Sequence, residues 1–241
     1  SGDGTIRQIG TGKTTITEDN SSFTGETYVD AGTLSVNGIL GGTVDVNDGG
    51  TLAGIGQVGT TVVHDGGTIS PGNSIGTLTV AGDFTQLAGS TYQAEVLSTG
   101  ESDLIHVTGE ANIDPDAILN VTKLDSDRYD LDRRYTVLTA DGGVTGDYIL
   151  TGDTFVSTFY RVEDHYDDNN VYLKVNQHRQ LQEAGLTRNQ IAAATAAQEL
   201  KGQVDDIPGY ETTGRPTNEL FRALAYLPTD GDAQYVFDQI S

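Results

Sequence analysis

Polar and apolar residues alternate in Thr77-Leu78-Thr79-Val80, the period of a β-strand with one buried face. The alternation returns in Thr43-Val44-Asp45-Val46 and, less cleanly, in Thr61-Val62-Val63. A tripeptide, Gly-Thr-(Leu/Ile), interleaves with this series at Gly32-Thr33-Leu34, Gly50-Thr51-Leu52 and Gly67-Thr68-Ile69, with a looser copy in Gly89-Ser90-Thr91-Tyr92. Successive first glycines lie 18, 17 and 22 residues apart. A period of about twenty residues holding two or three short strands is that of a β-solenoid rung, whose strands pair in parallel with their copies one turn away and whose inward residues stack in columns. The expected fold class is therefore mainly β: a right-handed parallel β-helix (β-solenoid), with about seven rungs at roughly 4.8 Å each. A Greek-key sandwich also has many short strands, but nothing in it repeats one tripeptide at nearly constant spacing.

Residues 65–81, DGGTISPGNSIGTLTVA, read as turn, strand, corner, strand and turn. Pro71, Gly72 and Asn73 force the corner, because proline fixes φ while glycine and asparagine tolerate positive φ. Beyond residue 83 the pattern shifts to longer, more aromatic strands, over residues 135–138, 155–162 and 171–175, the last two joined by a hairpin turn across 163–170. An open solenoid end is an exposed sheet edge, so residues 84–177 are expected to form a hairpin-rich cap on the Gly-rich coils of residues 1–83. From residue 186 the spacing is helical. Thr187 and Gln190 form a capping box ahead of a weak apolar face of Ala193, Ala197, Leu200 and Val204. A breaker-rich linker with Pro208 follows, then Leu220, Leu224 and Leu227, stopped by Pro228. Asp230 or Asp232 is the expected cap of a last helix carrying Ala233, Val236, Phe237 and Ile240. Residues 178–241 thus form a short α-helical segment.

Composition sharpens this reading. Glycine is concentrated early, with 21 of 31 in residues 1–100, whereas residues 84–177 carry ten aromatics against two in residues 1–83. With 35 acids against 13 bases the net charge is −22, which disfavours nucleic acid and anionic membranes as partners. The absence of cysteine excludes a disulfide framework and thiolate metal sites. No apolar run is long enough to cross a bilayer as a helix, and the opening Ser1-Gly2-Asp3-Gly4 has no signal-peptide pattern, as in an excised fragment.

The motifs that suggest chemistry each fall short of a full pattern. Residues 10–15, GTGKTT, end like a phosphate-binding loop, but the required first glycine is Arg7 and no helix pattern follows. Asp125, Asp127, Asp130 and Asp132 resemble half of a calcium loop, but Asp130 stands at the glycine position and Thr136 at the terminal glutamate position. His64, His106, His165 and His178 show no metal spacing, and no GxSxG elbow accompanies them. No catalytic, cofactor-binding or metal-ligating residue is assigned, no cofactor is expected, and the chain is expected not to be an enzyme.

Residues 10–17 with 23–34, the SPGNSIGTLTV stretch, Asp167-Asp168-Asn169-Asn170-Val171-Tyr172-Leu173 and Leu186-Thr187-Arg188-Asn189-Gln190 follow in the order seen in passengers of classical (type V) autotransporters, which the chain resembles. The resemblance implies a C-terminal passenger segment at the bacterial surface, anchored in the outer membrane, whose residues 84–177 act as an autochaperone during secretion. It implies the chain's own translocator β-barrel as a partner, and host-cell or matrix ligands bound through the upstream passenger, as in an adhesin or virulence factor. A carbohydrate-active or sugar-binding β-helix and a passive surface spacer are the alternatives.

Overall fold

One column of side chains explains most of the core. Thr14, Leu34, Leu52, Ile69, Tyr92, Leu119 and Leu150 lie in register on seven parallel strands, and Leu34 to Leu119 are almost wholly buried. Each such leucine or isoleucine contributes about 1.5–3 kcal/mol by leaving water, but only because the next rung supplies the apolar surface it packs on. The computed structural model describes residues 2–131, 133–201 and 219–241. It is a mainly β chain in two compact units, Ser1–Thr154 with Glu163–Lys174, and Phe155–Val162 with Val175–Ser241.

The first unit is the expected parallel β-solenoid, ending in an antiparallel hairpin. Its seven-stranded sheet runs, in chain order, Lys13–Ile16, Gly32–Val36, Gly50–Gly54, Thr68–Pro71, Thr91–Val96, Ile118–Lys123 and Ile149–Gly152. The tripeptides stack as the sequence implies, Gly32 on Gly50 and Thr51 on Thr68. The fourth copy differs by one residue: Thr68 meets Thr91, so Ser90 and not Gly89 takes the glycine place.

The second series departs further. The strand Gln57–Val63 is covered by two successive strands, Thr77–Val80 over its first half and Phe84–Gln86 over its second. Thr77–Val80 therefore is not the copy of residues 61–63; Phe84–Gln86 is. From here the rung lengthens. The offset between paired residues grows from 17 (Thr51 to Thr68) to 23 (Thr68 to Thr91), 27 (Thr91 to Ile118) and 31 (Ile118 to Ile149). Part of the added length lies in the loops that follow Val96 and Lys123, and the large side chains of Phe84, Tyr92, Tyr135 and Tyr148 are buried in these longer rungs. The parallel ladders run without a break across residue 83.

Strand Arg134–Ala140 switches the pairing. It is parallel to Leu104–Val107 on one side and antiparallel to Asn170–Gln177 on the other. The strand Tyr160–Asp167 lies outside Asn170–Gln177, and a two-residue turn, Asp168-Asn169, joins them. The expected turn over 163–170 is thus shorter. Strand pairing persists to Asp167, whose carboxylate accepts Asn169 N–H (3.1 Å) and the Asn170 amide (2.7 Å).

Residues 155–159 are not strand, contrary to the alternation there. In the second unit Ser157 Oγ accepts the N–H groups of Phe159 (3.2 Å) and Tyr160 (3.1 Å) and donates to the Ala225 carbonyl (2.6 Å), which turns the chain instead. The three helices described are α1 (Arg188–Glu199), α2 (Glu219–Ala225) and α3 (Asp230–Ile240). The Thr187–Gln190 capping box is present on α1. The buried faces are shifted from those expected: Ala194 and Ala197 on α1, and Phe221, Leu224 and Ala225 on α2, with Leu220 exposed. Thr229, not an aspartate, caps α3, its hydroxyl accepting Asp232 N–H at 3.1 Å, and α3 buries Ala233 and Phe237. Val204 and the linker with Pro208 lie outside the described residues. Ser157→Ala should cost about 2 kcal/mol in urea denaturation, because it strands two buried N–H donors and one carbonyl; an unchanged midpoint would refute this role for the hydroxyl.

Candidate functional site

The most constrained polar cluster surrounds the corner at residues 71–76. Gly72 has φ +92°, and a Cβ there would stand 1.8 Å from Ser74 O and 2.9 Å from Asp103 Oδ1, so only glycine fits. Among the described residues the positive-φ residue that is not glycine is Ser74 (φ +152°), not the Asn73 that the sequence favoured. Asn73 instead donates its amide to Asn37 Oδ1 at 3.2 Å.

Asp103 holds this corner from inside. It is fully buried; its Oδ1 accepts Gly76 N–H at 2.9 Å and its Oδ2 accepts Glu95 N–H at 3.0 Å. Its own N–H donates to Glu95 O (2.9 Å), and Leu104 N–H donates to Gly76 O (3.0 Å). Burial pushes the carboxyl up to about 7, with Glu95 adding to the rise and the two N–H donors opposing it. Above the corner lies a shallow polar cleft lined by Lys13, Ser70, Asn73, Ser74, Glu95 and Leu124.

Asp103 ends a lateral loop, residues 97–102, and a second loop, residues 124–131 with Arg133, bonds to it. Ser98 donates its N–H (3.1 Å) and hydroxyl (2.9 Å) to Asp125 Oδ2, Tyr129 OH donates to Val96 O (3.0 Å), and Arg133 bonds Thr99 O and Asp130. Two aspartates of the half calcium loop therefore serve as acceptors within the loops, Asp125 for Ser98 and Asp130 for Arg133; Asp132 lies outside the described residues. The GTGKTT stretch enters a strand, Lys13–Ile16, paired with Thr33 to Val36, and so has no helix N-terminus to present to a phosphate.

The histidines are dispersed. His64 Nε2 meets Asp45 Oδ1 at 2.8 Å, His106 lies 3.6 Å from Asp141, and His165 stacks on Tyr172 with centroids 5.5 Å apart. Tyr172 carries the Arg134 guanidinium 3.7 Å from its centroid. Among the described residues neither His64 nor His106 bonds a serine hydroxyl. Sequence reasoning missed Asp103 altogether; no spacing signal marks it.

No family model matches the chain. Over 207 residues it is 30% identical to the extracellular serine protease of Serratia marcescens, an alignment that covers 83% of this chain and 20% of that protein. The chain thus spans about a fifth of the length of the curated relative it matches. Similarity to an extracellular protein supports a secreted or cell-surface location. It also corrects the expectation that the chain is not an enzyme, since the relative is a serine protease. That expectation rested on missing motifs, and triad residues are brought together by folding from distant positions, in different orders on different folds. The absence of a local motif therefore carried no weight for the chemistry of the whole protein.

Proposed function

We propose that the chain is the C-terminal passenger segment of an autotransporter-type extracellular serine protease, a parallel coil that bears upstream residues and whose aromatic end nucleates folding during secretion. Protease activity of the whole protein is part of this reading and rests on the Serratia relative. The partner it implies is the chain's own translocator β-barrel, which would anchor the coil in the outer membrane; adhesion to host surfaces through upstream residues rests on the family resemblance alone. The observation that carries the reading is the gradient along one solenoid, from 17-residue rungs packed with Leu52 and Ile69 to 27- and 31-residue rungs packed with Tyr92 and Leu119. Longer rungs with larger side chains bury more area per rung, and a solenoid propagates from its most stable neighbours.

Leu52 and Leu119 occupy the same core column, and both are wholly buried. Replacing either by alanine should cost about 2–5 kcal/mol. In stopped-flow refolding, Leu119→Ala should slow folding, while Leu52→Ala should chiefly speed unfolding. The reverse assignment, or equal partition in the two variants, would sink the nucleation reading.

A further inference from the structure

We propose that the corner at residues 71–76 is a proton-linked clasp whose latch is the buried carboxyl group of Asp103. It stands independently of the secretory reading. Three segments meet at this one side chain: Gly76 from the corner, Glu95 from the strand Thr91–Val96, and the base of the loop at 97–102. The corner is already under constraint, with Ser74 at φ +152° and Gly72 packed so closely that no Cβ can enter. This place admits two arrangements of charge, a neutral carboxyl or a carboxylate, either of which can accept the two N–H groups.

Titratable neighbours determine which arrangement wins. The corner residues contribute none. The strand Thr91–Val96 contributes Glu95, whose negative charge disfavours a second one, and Tyr92, whose buried phenol is itself pushed up partly by Asp103. Lys13 also lines the cleft. Burial is the largest influence and also opposes the charge, so the folded state holds the proton more tightly than the unfolded chain. The sign follows. The stabilisation from this proton is complete below the ordinary carboxyl value of 3.8 and is lost as pH rises to about 7. The clasp is closed in mildly acid surroundings and loosens above neutrality.

The test uses the full chain. Amide exchange at Gly76 and Glu95, corrected for intrinsic rate, should show protection at least about tenfold lower near pH 8 than near pH 5, while the ladder amide of Leu52 changes less. Asp103→Asn should remove that difference, so that the variant and the wild type diverge in their urea midpoints as a function of pH. If this variant does not fold, the ¹³C signal of the wild-type Asp103 carboxyl decides. A midpoint near neutrality supports the clasp, and one below about pH 5 overturns it, as would Gly76 protection that is independent of pH.

Discussion

Gly42→Ala should lower stability by about 3–5 kcal/mol, enough to shift the urea midpoint by more than a molar unit or to prevent folding. Two costs combine. Gly42 sits at φ +75°, where an L-residue pays about 1–2 kcal/mol. Its Cβ would also stand 2.0 Å from the carbonyl oxygen of Gly25 on the preceding rung, so backbone would have to move. The position belongs to a column. A Cβ on Gly25 would reach 1.8 Å from Gly4 O, and one on Gly59 would reach 1.8 Å from Gly42 O. The rungs stack here with no side chain between them. Gly49→Ala is the control, because φ is +79° yet the nearest atom to its Cβ would be 3.9 Å away, so it should lose only about 1–2 kcal/mol. Equal losses in the two variants would show that rung stacking is not what reserves Gly42.

Tyr92→Ala is the second large effect, expected at about 3–5 kcal/mol by urea denaturation. Tyr92 is wholly buried, 6.4 Å from the ring of Tyr148, and fills the core column where the rungs lengthen. Its hydroxyl has a separate task. Along strand Arg134–Ala140 the antiparallel register passes from Thr136 opposite Tyr172 to Leu138 opposite Val171, which leaves Val137 unpaired at a bulge. Tyr92 OH donates to the Val137 carbonyl at 2.6 Å. The switch from parallel to antiparallel pairing is thus capped by a side chain 45 residues away. Tyr92→Phe keeps the ring and should still cost about 1–3 kcal/mol, since a buried carbonyl loses its donor. A phenylalanine variant as stable as the wild type would mean that the bulge carbonyl finds another partner.

Much of the coil was legible in one dimension because a solenoid repeats in one dimension. Gly32 and Gly50, Leu34 and Leu52, Leu52 and Ile69 are neighbours because each is one rung from the next, and the tripeptide marks that rung directly. Legibility failed where rung length changed. Gly89 looked like the next glycine, but a rung of 23 residues puts Ser90 in its place. Residues 77–80 alternate as residues 61–63 do, yet two strands share the cover of Gln57–Val63, and Phe84–Gln86 takes the second half. Alternation across residues 155–162 lost to Ser157, whose hydroxyl offered the backbone a turn.

The sequence by itself determined the rung, the stacking of its apolar positions, the acidic surface and the capping box of α1, since each depends on residues near in the chain or at a fixed period. Only the tertiary structure decided which acid among the described residues is buried, which carbonyl a tyrosine must cap and which glycines admit no Cβ. Asp103 reads as one more solvated carboxylate until Gly76, 27 residues before it, and Glu95, 8 before it, fold around it. Burial is a property of what converges on a side chain, and convergence across rungs of unequal length leaves no period to read.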